Sequence, residues 1–234
     1  MAAPDPPPFG SPELRLPDEL RGPLREHLAF LRQHYLDAGW GKPVGLGPRP
    51  ALVVVDLALG WTTSRGPMGS NLDAVVEATV QVLAAARAAG IPVFFTTSAH
   101  DPANPPNASA PKVPGAPDAA ASPADLEELD PRLERRRDEK VIHKPYASSF
   151  KGTNFHEMLA SLQVDTLIVT GCSTSHCIYA TCRDAKDSFR VIVPREAVGE
   201  RCELMHEVNL LDIEIDLADV LPVEDVVAAL RATA

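Results

Sequence analysis

The stretch Asp165-Thr-Leu-Ile-Val-Thr170-Gly171-Cys-Ser-Thr-Ser-His176-Cys177 decides the fold. Its first six residues are mostly β-branched or apolar and show no polar alternation, as in a strand buried on both faces, and so central in a parallel sheet. Gly171 ends the strand, small residues follow, and a helical pattern runs from Cys177 to Ser188. Strand, turn and helix in that order make one unit of a doubly wound α/β sheet.

The same unit recurs on both sides. Upstream, Ala51–Val55 reads as strand one and Asn71–Ala89 as a helix carrying Leu72, Val75, Val76, Thr79, Val82, Leu83 and Ala86 on one face, closed by Gly90. Ile91–Thr97 and Lys140–His143 read as strands two and three, and Asn154–Leu162 as a helix. Downstream, Arg190–Pro194 and Ala218–Leu221 are strands, and Glu203–Leu211 and Val223–Ala232 are helices. The expected architecture is a three-layer αβα sandwich around a mainly parallel, six-stranded sheet.

Residues 1–17 are rich in proline and form an extended arm, and residues 18–49 hold an amphipathic helix at Asp18–Asp37 followed by a Gly/Pro loop. Residues 50–234 are the domain proper. The segment 98–123 lacks periodicity, and a loop of that length is expected to be a lid or pocket wall.

A chain of 234 residues and 25.1 kDa fits one core with extensions. Its net charge of −10 and pI of about 5.1 give no electrostatic grip on nucleic acid or on anionic membranes. With no signal-peptide pattern and no membrane-length apolar run, the protein is expected to be cytoplasmic, and Cys172, Cys177, Cys182 and Cys202 to be free thiols. Cysteine and histidine spacings match no metal site and no strand leads into a glycine-rich phosphate loop, so no metal or other cofactor is expected.

Ligands of such sheets lie beyond the carboxyl ends of the strands. Three residues stand there: Asp56 after strand one, Lys144 after strand three and Cys177 after the turn that follows Thr170. Neighbouring parallel strands bring such ends together about every 5 Å. A thiol at the start of a helix, beside an ammonium, is expected to be favoured as thiolate and so to be the nucleophile. The small residues Gly171–Ser175 let backbone N–H groups approach a bound carbonyl oxygen and stabilise the oxyanion as it forms. Trp61 and Phe150 are candidates for an apolar wall around a small ligand, or for core packing. His176 and His143 flank the key positions, as substrate contacts or as structural hydrogen bonds.

Three segments carry a resemblance: Val53-Val-Val-Asp56-Leu-Ala-Leu-Gly-Trp61-Thr, Val141-Ile-His-Lys144-Pro-Tyr146-Ala-Ser-Ser-Phe150-Lys-Gly152-Thr and Val169-Thr-Gly171-Cys-Ser-Thr174-Ser-His-Cys177-Ile-Tyr-Ala-Thr-Cys-Arg-Asp184-Ala. In order and spacing they resemble the isochorismatase-like cysteine hydrolases, nearest to their N-carbamoylsarcosine amidohydrolase branch. The resemblance implies a triad of Cys177, Asp56 and Lys144, in which Asp56 takes the thiol proton and Lys144 balances the charge. It implies a cis peptide bond between Cys172 and Ser173, which aims the Ser173 N–H into an oxyanion hole shared with the N–H of Cys177. It also implies a small amide or ureido substrate, with Thr174 on the turn and Arg201 after the next strand as contacts; Arg201 suits a substrate carboxylate or, equally, a salt bridge. A homo-oligomer, tetramer or dimer, is expected. Two rival readings exist: a vinyl-ether hydrolase of the isochorismatase type, against which the retained Cys177 argues, and a non-catalytic interaction or redox-sensing module, against which the intact Asp56 and Lys144 argue.

Overall fold

The computed structural model describes residues 14–63, 69–98 and 127–232. All but the first residue of the 98–123 segment, and residues 1–13 of the arm, lie outside them. Seven parallel strands form one sheet: β1 Pro50–Val55, β2 Val93–Ser98, β3 Lys140–Lys144, β4 Thr166–Cys172, β5 Arg190–Pro194, β6 Val198–Gly199 and β7 Asp219–Leu221. Their order is β3-β2-β1-β4-β5-β7, with β6 paired to the end of β4. The expected count of six is thus one short: β6 spans only Val198 and Gly199, too short to leave a period in sequence.

Every residue of β1 and β4 is buried, which is why neither alternates. Side chains leave the two faces in turn. Leu52, Val54 and Ile168 join α3 (Asp73–Ala88) and α7 (Val223–Ala232) in one core. Val53, Val55 and Val169 join α4 (Phe155–Ser161), α5 (Tyr179–Ala185) and α6 (Glu203–Asp212) in the other. These are the three layers expected.

Helix α1, Asp18–Asp37, has the expected bounds but buries no residue. It is tied down by charge: Arg21 Nε donates to Glu203 Oε1 at 2.7 Å and Arg32 Nη2 to Glu214 Oε1 at 2.6 Å. A single turn, α2 (Leu59–Thr62), follows β1 and has no counterpart among the expected elements. Among the described residues no helix is long and apolar enough to cross a membrane.

The expected helix Cys177–Ser188 starts earlier and differently. Thr174–Ile178 is a π-type turn closed by Ile178 N donating to Ser173 O at 3.1 Å, and α5 begins only at Tyr179. The peptide bond joining Cys172 to Ser173, just before it, is cis.

Candidate active site

Gly171 sets the approach of the two central strands. Its φ is +115°, and a β-carbon there would lie 2.0 Å from the Val55 carbonyl oxygen, so only glycine lets β4 pass the end of β1 at this register. Directly beyond Val55, Asp56 sits at a φ of 53°, a left-handed conformation that Asp tolerates better than most residues. Its backbone N–H donates to Thr96 O at 3.2 Å, and Thr96 Oγ1 donates to Asp56 Oδ1 at 2.7 Å. The carboxylate is 1% exposed and its aim is fixed by the neighbouring strand.

Lys144, the last residue of β3, reaches back across β2. Its Nζ lies 2.7 Å from Asp56 Oδ2, 3.3 Å from Cys177 Sγ and 3.2 Å from the Tyr146 carbonyl oxygen. One ammonium therefore joins carboxylate and sulfur. Asp56 Oδ2 is paired with it by charge in a site closed to solvent. The three side chains that sequence placed at one rim do meet there.

The charge state departs from expectation. Cys177 is pushed up to about 12, first by burial and then by the charge of Asp56, while Lys144 pulls the other way. The shift is toward the thiol, against the thiolate expected. Sequence reasoning counted the helix end and the ammonium but not the desolvation, and the π-turn replaces the regular first helical turn it assumed. For Lys144, burial works against the charged form, but the charges and hydrogen bonds of Asp56 and Cys177 outweigh it and the ammonium is held raised.

The other sequence candidates spread over several surroundings. Thr174 is fully buried; its hydroxyl donates to Gly199 O at 3.0 Å and lies 2.8 Å from His206 Nδ1. Phe150 stacks in the second core against Phe155 and Phe189, and Trp61 packs on the first core. Arg201 is half-buried at the end of β6, its N–H donating to Glu200 Oε1. His176 is exposed on the turn, its Nδ1 2.8 Å from Ser175 Oγ. All four cysteines are free; Cys172 Sγ donates to Asp56 O at 3.3 Å.

Three residues escaped the sequence reading: Thr96, Glu200 and His206. Only Thr96, at the carboxyl end of a strand, occupies a position that the strand-end rule would have flagged. A groove of about 650 Å³ lies elsewhere, along edge strand β3 beside His143, Asn154 and Met158.

Known proteins resemble this chain along most of its length. It is 35% identical over 208 residues to an N-carbamoylsarcosine amidase from Arthrobacter, covering 85% of this chain and 77% of that one. It is also 35% identical over 199 residues to a maleamate amidohydrolase from Pseudomonas putida, covering 82% and 92%. A crystal structure of a cysteine hydrolase from Pseudomonas syringae pv. phaseolicola superposes with a TM-score of 0.75 at 21% identity over 81% of this chain and 96% of that one, which shows the fold. The family model for the Isochorismatase domain matches residues 50–225, the span holding all seven strands and the Asp56, Lys144, Cys177 cluster, and the chain belongs to the isochorismatase family.

Proposed function

We propose that this protein is a cysteine-dependent amidohydrolase that cleaves a small amide or N-carbamoyl C–N bond and releases ammonia through a thioester at Cys177. The observation that carries the reading is the single ammonium of Lys144 held between Asp56 Oδ2 at 2.7 Å and Cys177 Sγ at 3.3 Å. The amide-cleaving names of the two relatives, and of a ureidoacrylate amidohydrolase 27% identical over 202 residues, support the substrate class.

In this reading the thiol proton passes to Asp56 as Sγ bonds to the carbonyl carbon, so a free thiolate is never required. The carbonyl oxygen takes the negative charge and is received by the N–H groups of Ser173 and Cys177. The C–N bond then breaks, Asp56 gives its proton to the leaving nitrogen, and ammonia departs. Water attacks the thioester, losing a proton to Asp56; the C–S bond then breaks, Asp56 returns that proton to the sulfur as thiol, and the acid product is freed. Lys144 keeps its proton throughout and holds the two anionic forms together. Arg201 is the residue we assign to a substrate carboxylate.

The test is ammonia release from a panel of N-carbamoyl amino acids, maleamate and simple amides, by wild type and by Cys177→Ala. Turnover of at least one ureido or amic acid that disappears in the variant supports the reading; release surviving the substitution excludes thiol chemistry. The exposed Phe30, Tyr35 and Trp40 of the α1 region support self-association, which sedimentation would measure.

A further inference from the structure

We propose that Glu200 is a positioning residue for the chemistry at Cys177: acting through Ser175, it holds the turn whose backbone N–H groups receive the oxyanion. The inference rests on the reading of Cys177 as nucleophile.

The register of β6 brings Glu200 to the turn. Gly171 pairs with Val198 and Cys172 with Gly199, so the next residue of each strand, Ser173 and Glu200, run on side by side. The Glu200 side chain turns inward and is 1% exposed. Its Oε2 accepts from Ser175 N at 3.0 Å and from Ser175 Oγ at 2.7 Å, and its Oε1 accepts from Arg201 N at 2.9 Å. Among the described residues no Lys or Arg nitrogen lies within ion-pairing distance; the nearest ring nitrogen is His176 Nδ1 at 4.0 Å. A buried carboxylate without a strong cation costs several kcal/mol unless its oxygens are filled by hydrogen bonds. Here the donors that fill them come mainly from the nucleophile turn.

That turn depends on outside support. The opening N–H groups of a helical segment have no internal acceptor. His176 N and Ile178 N both turn back to Ser173 O, but Ser175 N leaves the turn for Glu200. Thr174, one residue earlier, is pinned by Gly199 O and His206. Consecutive residues just before Cys177 are therefore held by the β6 segment, and Glu200 supplies the charged half of that grip. A carboxylate at this end also suits the aligned N–H dipoles. Oxyanion stabilisation works only when donors stand within a fraction of an ångström of the developing charge. Releasing Ser175 is expected to cost that alignment while leaving the sulfur, Asp56 and Lys144 in place.

Two reactions of Cys177 separate the effects. Alkylation by iodoacetamide needs the sulfur as thiolate but no oxyanion hole. Addition to acetaldehyde forms the S–C bond, breaks the C=O π bond and moves the thiol proton to oxygen, giving a thiohemiacetal whose oxygen occupies the hole. Protection of Cys177 from iodoacetamide by acetaldehyde, located by peptide mass spectrometry, is measured for wild type, Glu200→Gln and Ser175→Ala. Acetaldehyde is expected to protect Glu200→Gln at least about tenfold less well than wild type. Alkylation without aldehyde is expected to stay within about threefold, since the triad is untouched. Ser175→Ala keeps the backbone donor and loses the hydroxyl, so it should fall between the two, and it carries the test alone if Glu200→Gln does not fold. Unchanged protection in the variants, alkylation falling in parallel with it, or no protection of wild type overturns the proposal. Failure of the amidohydrolase reading shows separately, as absent ammonia release or release that survives Cys177→Ala.

Discussion

Replacing Asp56 by Asn separates two effects that the wild-type site combines. With the Cys177 thiol pushed up to about 12, thiolate is the minor form at neutral pH. Burial is the first cause of that rise and the Asp56 charge the second. The substitution Asp56→Asn removes the charge and keeps the shape. Lys144 Nζ, 3.3 Å from Cys177 Sγ and still needing a counter-charge in its buried position, then has only the sulfur to pair with. The thiolate becomes easier to form. Iodoacetamide, which asks only for thiolate, should alkylate the variant at a lower pH midpoint than wild type. Amide hydrolysis asks also for a proton carrier to the leaving nitrogen, and losing a general acid–base typically costs about 10²–10⁴ in rate. The expected signature is therefore opposite movement: faster alkylation and turnover lower by about 10³. The assay is the pH–rate profile of Cys177 alkylation beside steady-state ammonia release on the same preparation. An unchanged or higher alkylation midpoint, or turnover within about tenfold of wild type, would refute the assignment of Asp56 as both a source of the raised thiol and the proton carrier.

Lys144→Met is expected to lower stability by about 3–5 kcal/mol in urea melts at neutral pH, because the Asp56 carboxylate at 1% exposure loses its ion pair. Gly171→Ala should cost at least about 3 kcal/mol or prevent folding, as urea melts would show. Its β-carbon would stand 2.0 Å from Val55 O at a φ of +115°. His206 is pushed down to about 4 from its ordinary 6.5 by burial and then by Arg195, so below pH 6.5 the unfolded chain binds a proton that the fold refuses. Its stabilising contribution is complete above 6.5 and is lost toward pH 4, about 3 kcal/mol in all, and the difference in urea stability between wild type and His206→Gln should shrink across that window.

The parallel sheet was legible because burial on both faces leaves an unbroken apolar run. Ala51–Val55 and Thr166–Thr170 carry it, and Arg190–Pro194 and Val223–Ala232 kept their expected bounds to the residue. Where the structure added elements, the segments are too short for any period: two residues in β6, four in α2. Helix α1 shows the converse. Its leucine spacing marked the helix correctly but said nothing of how it attaches, which is through Arg21 and Arg32, each to a carboxylate 182 residues away in sequence.

The site divides along the same line. Asp56, Lys144 and Cys177 were found because each follows a strand, and a parallel sheet converts that sequence position into a shared place in space. Glu200 follows a strand too, but one invisible in sequence, and so the carboxylate that binds Ser175 in the turn before Cys177 went unnoticed. The thiolate expectation failed for a related reason: it summed nearby attractions, and the deciding quantities are burial and the partition of one ammonium between two acids. Lys144 stands 2.7 Å from Asp56 Oδ2 and 3.3 Å from Cys177 Sγ, a close contact to each, while burial and the Asp56 charge push the thiol up. In the proposed mechanism the proton moves to the carboxyl group as the sulfur attacks, negative charge passes into the substrate, and the same ammonium remains within reach of both acids without itself moving. A resting thiol is then no obstacle to reaction, because the site needs no stored thiolate; it needs the acceptor, the donor and the cation fixed before the substrate arrives.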